Sequence, residues 1–137
     1  EAPERGINAA LEVTNRRSTR QDVTFGFRQL VDIGERALSP GTNDPTTATQ
    51  VVDELHRILR EVVQRRPPSP HVSGDDGALR LVVPLVSVEQ LARLAVEELA
   101  HYGADSIQVP PRLRAMLTDL ESCALPEYRD ALARLRG

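Results

Sequence analysis

The stretch Arg36-Ala37-Leu38-Ser39-Pro40-Gly41-Thr42-Asn43-Asp44-Pro45-Thr46-Thr47-Ala48 ends one helix, turns sharply and begins another. Pro40-Gly41 breaks the preceding helical period. Asp44 is a good N-cap, and Pro45 takes the first helical position, where a missing N–H costs nothing. The corner is therefore specified locally, by Ser39, Pro40, Gly41, Asp44 and Pro45 together.

Before the corner, Asp22 caps a helix expected over 23–38. Val23, Phe27, Leu30, Val31, Gly34 and Leu38 form its apolar stripe. Arg28, Asp32 and Arg36 recur every fourth residue on another face, a spacing that permits a ladder of ion pairs. After the corner, Ala48, Val51, Val52, Leu55, Leu59, Val62 and Val63 line one face of a helix over 44–65. Farther back, Ile7, Ala9, Leu11 and Val13 alternate, which predicts a half-buried strand over 7–14. A short helix is the alternative there, since Ile7, Ala10 and Leu11 also fit a helical step.

Downstream, 71–74 and 79–84 read as a hairpin turning at Asp75-Asp76-Gly77. Pro84 marks its end or an edge. Ser87 to Gln90 is a capping box that opens a helix over 87–101. Its buried stripe is Val88, Leu91, Ala92, Ala95 and Leu99, and Gly103 suits its C-cap. Two further helices follow, near 110–124 (Leu113, Met116, Leu117 and Leu120 inward) and near 126–136 (Tyr128, Ala131, Leu132 and Leu135 inward). The fold class is α+β, about five helices packed with a small antiparallel sheet.

At 137 residues the chain is one domain, 1–137. Aromatics are 3%, so the core rests on aliphatic side chains. A net charge of −3 gives no basis for nucleic-acid binding. Every basic residue is Arg, which suits bidentate contacts to carboxylate or phosphate, although GC-rich coding gives the same bias. The single Cys123 excludes an internal disulfide framework and fits a reducing compartment; its expected role is that of a small buried hydrophobe. No apolar run approaches the roughly 20 residues of a membrane-spanning helix. The first residue is Glu1 rather than Met, which points to a fragment of a larger protein.

The run Gln21-Asp22, Phe25-Gly26, Arg28 to Ile33, Arg36 to Gly41 and Asn43 to Ala48 resembles the bacterial predicted-membrane-protein family called domain of unknown function 2254. Arg17 and His101-Tyr102-Gly103-Ala104 resemble further elements of it. Thr42 and Gly34-Glu35 depart from the family pattern without disturbing the turn. The resemblance implies a parent in the bacterial cell membrane, of which this chain is a soluble C-terminal region on the cytoplasmic side. It supplies no reaction and no established site.

Two functional readings follow. The first is an assembly or regulatory module without catalysis or cofactor. Its partners are the membrane-embedded part of its own chain or a second copy, as a homo-oligomer. The second is a small-anion sensor, for phosphate or carboxylate. The start of the helix at Pro45 exposes N–H groups and a positive dipole end, with Thr46 and Thr47 as hydroxyl donors and Asn43 beside them. Arg17, Arg28 and Arg36 would converge on it. Against this, Asp44 competes for the same N–H groups, and the Arg residues also fit internal ion pairs. His56 and Asp53 share a helix face, but two residues do not make a metal site. His71 and His101 stand apart from them. No nucleophile is visibly coupled to a base, so catalytic residues are expected to be none.

Overall fold

The computed structural model describes residues 22–136. The expected strand over 7–14 and Arg17 lie outside the described residues. Among the described residues the order is α1 (Val23–Leu38), α2 (Pro45–Val63), β1 (His71–Ser73), β2 (Leu79–Val82), α3 (Val88–Tyr102), α4 (Val109–Cys123) and α5 (Pro126–Arg136). Five helices and a two-stranded antiparallel sheet make the fold α+β.

Each helix start has a local cause. Asp22 accepts from the Phe25 N–H at 3.1 Å and opens α1. Ser87 accepts from the Gln90 N–H at 3.1 Å, and the Gln90 side chain accepts from the Ser87 N–H at 2.9 Å, completing the capping box of α3. α4 begins at Val109, one residue before the expected start. Its two prolines fall in the first turn, where no N–H is needed, and Ser106 Oγ accepts from the Val109 N–H at 3.3 Å. α2 stops at Val63 rather than 65, with Gln64 as its C-cap.

α2 is the central rod, lying against α1, α3 and α4, while α1 also packs on α3. α5 closes the far side against α3 and α4. Leu55, Leu59, Leu99, Met116, Leu120 and Leu132 are fully buried where these helices meet. The Leu125 N–H donates to the Val63 carbonyl at 2.9 Å and Tyr128 Oη to the Arg65 carbonyl at 3.3 Å, fastening the start of α5 to the end of α2. No polar side chain among the described residues is buried without a partner.

Several expectations shift. Val23 is exposed, and Ala37 takes a buried place on α1, so the apolar stripe starts one turn later. On α5 only Leu132 is fully buried; Tyr128 and Leu135 are half-buried against the core. Gly103 ends α3 with φ −94°, not in the left-handed region. Its need for glycine is steric: a Cβ there would lie 2.5 Å from Val109 Cγ1 and 2.6 Å from the Leu99 carbonyl oxygen.

The hairpin turns where expected. The Gly77 N–H donates to the Gly74 carbonyl at 2.9 Å, and Gly77 adopts φ +76°, which glycine tolerates at no steric cost. Register runs His71 to Val82, Val72 to Leu81 and Ser73 to Leu79, leaving Arg80 as the extra residue of a bulge. The strands are shorter than expected and pair with each other, without substantial packing on any helix. Leu79, Leu81 and Val82 remain more than half exposed.

Candidate functional site

The corner between α1 and α2 is closed by its own backbone. The Thr42 and Asn43 N–H groups both donate to the Ser39 carbonyl, at 3.0 and 2.9 Å. The Asp44 N–H donates to the Ala37 carbonyl at 2.7 Å. Ser39 Oγ donates back to the Arg36 carbonyl at 2.8 Å. Asn43, not Gly41, takes the left-handed conformation, at φ +45°. Asparagine tolerates that region better than most residues.

The start of α2 is already occupied. Asp44 Oδ1 accepts from the Thr47 N–H at 3.0 Å, and Oδ2 from the Thr47 hydroxyl at 2.5 Å. The Thr47 hydroxyl, then its N–H, hold the Asp44 carboxyl below the usual carboxylate range. A negative charge therefore already sits on the dipole end that an incoming anion would use. Thr46 is exposed.

Arg28 does not converge on this corner. Both its terminal nitrogens reach Glu98 on α3, Nη2 to Oε2 at 2.6 Å and Nη1 to Oε1. Its Nε donates to Asp32 Oδ1 at 2.7 Å, and Glu35 lies 3.4 Å from Nη2. One guanidinium thus serves three carboxylates. Hydrogen bonding from Arg28 drives Glu98 down to about 2, while Glu35, hydrogen-bonded to that same Glu98 carboxylate, is pushed above its ordinary range. The expected ladder is made only in its first step. Arg36 is exposed and joins no ion pair among the described residues. Glu98 was not legible as a site residue: it lies 70 positions from Arg28, and no local pattern on α3 marks it.

A second polar seam links α2 to α4. His56 Nε2 lies 2.8 Å from Asp119 Oδ2, and Arg112 Nη2 lies 3.0 Å from His56 Nδ1. Arg112 Nε also pairs with Asp53, and Arg60 with Asp119. Asp119 is held below its usual range by Arg60 first and His56 second. With an arginine on one ring nitrogen and a carboxylate on the other, His56 joins two helices rather than facing a substrate. Cys123 is half-buried nearby, its Sγ 3.6 Å from the Leu120 carbonyl.

The corner does border a concavity. A groove of about 470 Å³ is lined by Leu38, Pro40, Asn43 and Pro45 on one side and by Tyr102 and Asp105 to Gln108 on the other. Tyr102 is exposed and meets His101 edge-on with ring centroids 5.0 Å apart. Ile107 stands 93% exposed at the rim. Among the described residues Asp105 is the one charged side chain in the lining, so they offer an anion no cation there. Two stretches about 60 residues apart, the corner and the Tyr102-Gly103 end of α3, therefore share one wall-to-wall surface.

These features define a mainly helical α+β domain with a capped helix corner, paired internal charges and a shallow groove. The chain belongs to the family described as predicted membrane protein (DUF2254), whose model matches residues 1–119. It is similar to uncharacterized proteins of Mycobacterium tuberculosis (strain H37Rv) and Mycobacterium bovis (strain AF2122/97), each 33% identical over 117 residues. The match covers 85% of this chain and 22% of each relative, so the chain spans about a fifth of their length. No solved structure matches it. No helix among the described residues is long and apolar enough to cross a membrane.

Proposed function

We propose that this domain is a non-catalytic assembly module, docking through the groove at the Ser39–Pro45 corner onto the membrane-embedded part of its own parent chain. The observation that carries the reading is the meeting of the corner with Tyr102 and Ile107 around one groove, while the strongest charges face one another instead. A rim of exposed Ile107 and Tyr102 around polar Asn43, Ser106 and Gln108 suits a polypeptide partner, which supplies both apolar side chains and backbone hydrogen bonds. Membership of a predicted membrane-protein family supports the reading of a membrane-embedded partner on the same chain. The single cysteine supports a cytoplasmic, reducing setting.

The geometry lends the anion-sensing alternative little support. Arg28 is enclosed by carboxylates, Thr47 is bound to Asp44, and among the described residues the groove lining has no basic side chain.

The test is a photo-crosslinking amino acid at Ile107 of the intact parent in native membranes, with exposed Arg57 as control. The expected product is a crosslink from position 107 to a peptide of the same chain outside this domain. A product of twice the mass would move the partner to a second copy. Quenching by water alone at position 107, as at position 57, would overturn the proposal.

A further inference from the structure

His56 sits between two partners that fix its chemistry. Arginine carries donors and no acceptor. Arg112 Nη2, 3.0 Å from His56 Nδ1, therefore donates to a lone pair on that nitrogen, and Nδ1 carries no hydrogen. Asp119 Oδ2, 2.8 Å from Nε2, accepts the one ring proton that remains. Only the neutral ring, with its proton on Nε2, makes both contacts at once. The His56 side chain keeps 18% exposure, enough to exchange protons with solvent.

The charges around the ring balance while it is neutral. Asp53 and Arg60 flank it on α2, and Arg112 and Asp119 face it from α4. Two arginines thus meet two aspartates, and the Cys123 thiol is the other titratable group that Arg60 senses. Among the described residues, no ion pair brings a charge to this seam from α1, α3 or α5. Arg60, then His56, hold Asp119 below its usual range, so its carboxylate stays charged in mild acid. A proton on Nδ1 turns the acceptor of Arg112 into a donor aimed at a guanidinium. It also adds one positive charge to a seam already balanced.

We propose that His56 and Arg112 form a proton-operated latch between α2 and α4: the neutral ring holds the guanidinium, and uptake of a solvent proton at Nδ1 releases it. Release leaves Arg112 held to α2 by Asp53 alone. The latch is independent of the groove at the Ser39–Pro45 corner.

The experiment is NMR of the full 137-residue chain from about pH 8 to about pH 5, the window of ordinary histidine titration, in which ordinary aspartates stay charged. At the alkaline end, long-range proton–nitrogen correlations are expected to place the His56 proton on Nε2. A proton on Nδ1 there would overturn the proposal. Nuclear Overhauser contacts between the Arg112 side chain and His56 Hε1 are expected at the alkaline end. They are expected to be lost with the midpoint of the His56 ring and not with those of His71 or His101. Contacts kept through that midpoint, or a ring uncharged at the acid end, would overturn the latch. His56→Gln keeps an acceptor for Arg112 and a donor for Asp119 but takes up no proton in this window. The Arg112 Cζ shift is expected to move with pH in the parent chain and to stay flat in His56→Gln. An Arg112 response that persists in the variant would contradict the proposal.

Discussion

Arg28 on α1 grips Glu98 on α3 through both terminal nitrogens of its guanidinium, 70 residues apart in sequence. The bidentate geometry fixes the register of the two helices where Gly34 lets them approach. It also removes from the Ser39–Pro45 corner the arginine that an anion site there would most need. Both side chains are more than a third exposed, so solvent screens the pair. A double-mutant cycle with Arg28→Ala and Glu98→Gln is expected to give a coupling of about 1 kcal/mol. Urea denaturation checks it, and additive single effects would show that the pair contributes nothing.

The pH response of this cluster has two opposed parts. Glu98 is held at about 2, below its ordinary 4.5. A depressed acid stabilises the fold above its unfolded value, and that contribution is lost as pH falls from about 4.5 toward 2. Glu35 is raised by its hydrogen bond to Glu98, so its contribution has the other sign: present below its unfolded value and lost as pH rises through the folded one. Glu35→Gln is therefore expected to raise the urea midpoint at pH 7, by the equivalent of about 0.5 kcal/mol, and to leave it nearly unchanged at pH 3. A lower midpoint at pH 7 would mean that the Glu35 charge serves Arg28 more than it opposes Glu98.

Two glycines separate soft from hard crowding. A Cβ on Gly34 would lie 2.6 Å from Leu99 Cδ2, a fully buried side-chain tip that can shift by rotation. The helical preference of alanine, about 1 kcal/mol over glycine, offsets part of that strain. A Cβ on Gly103 would meet the Leu99 carbonyl oxygen and Val109 together, and backbone cannot rotate away. Thermal or urea unfolding is expected to rank Gly103→Ala, costing about 2–3 kcal/mol, well above Gly34→Ala, at about 1 kcal/mol. The reverse order would contradict the packing described here.

Ser87→Ala removes half of the capping box at the start of α3 and is expected to cost about 1 kcal/mol. Ser87→Asp retains an acceptor and is expected to restore most of it. Chemical denaturation of the three proteins decides the matter; equal stability of Ser87→Ala and the parent sequence would deny the cap its role.

The capping residues show why the helices were readable from sequence. Asp22, Asp44 and Ser87 each satisfy N–H groups within three residues of themselves, so their effect is local and visible in the order of the chain. The aliphatic stripe of α2 was legible for the same reason: burial on a helix face repeats with the helix period. Tertiary partners were not. Nothing near Arg28 announces Glu98, and nothing near Pro40 announces Ile107, because which helix ends meet depends on packing of the whole bundle. The reading of 79–84 as a hairpin strand was right for Leu79–Val82, but a strand's sequence says nothing of what covers it, and among the described residues no helix does. At the Ser39–Pro45 corner the residue types were right for an anion and the pairings were not: a carboxylate already fills the helix start.

The central claim is that the corner of Ser39 to Thr47 is a self-satisfied scaffold, its polar groups bonded to one another. The most direct measurement is a titration of the 137-residue protein with inorganic phosphate, followed by NMR at the amides of Asn43, Thr46 and Thr47 and at Arg28 Nε–H. The account predicts no saturable shift at any of these groups up to millimolar phosphate and an intact Arg28–Glu98 pair throughout. Saturable shifts at the start of α2, with Arg28 released from Glu98, would contradict it.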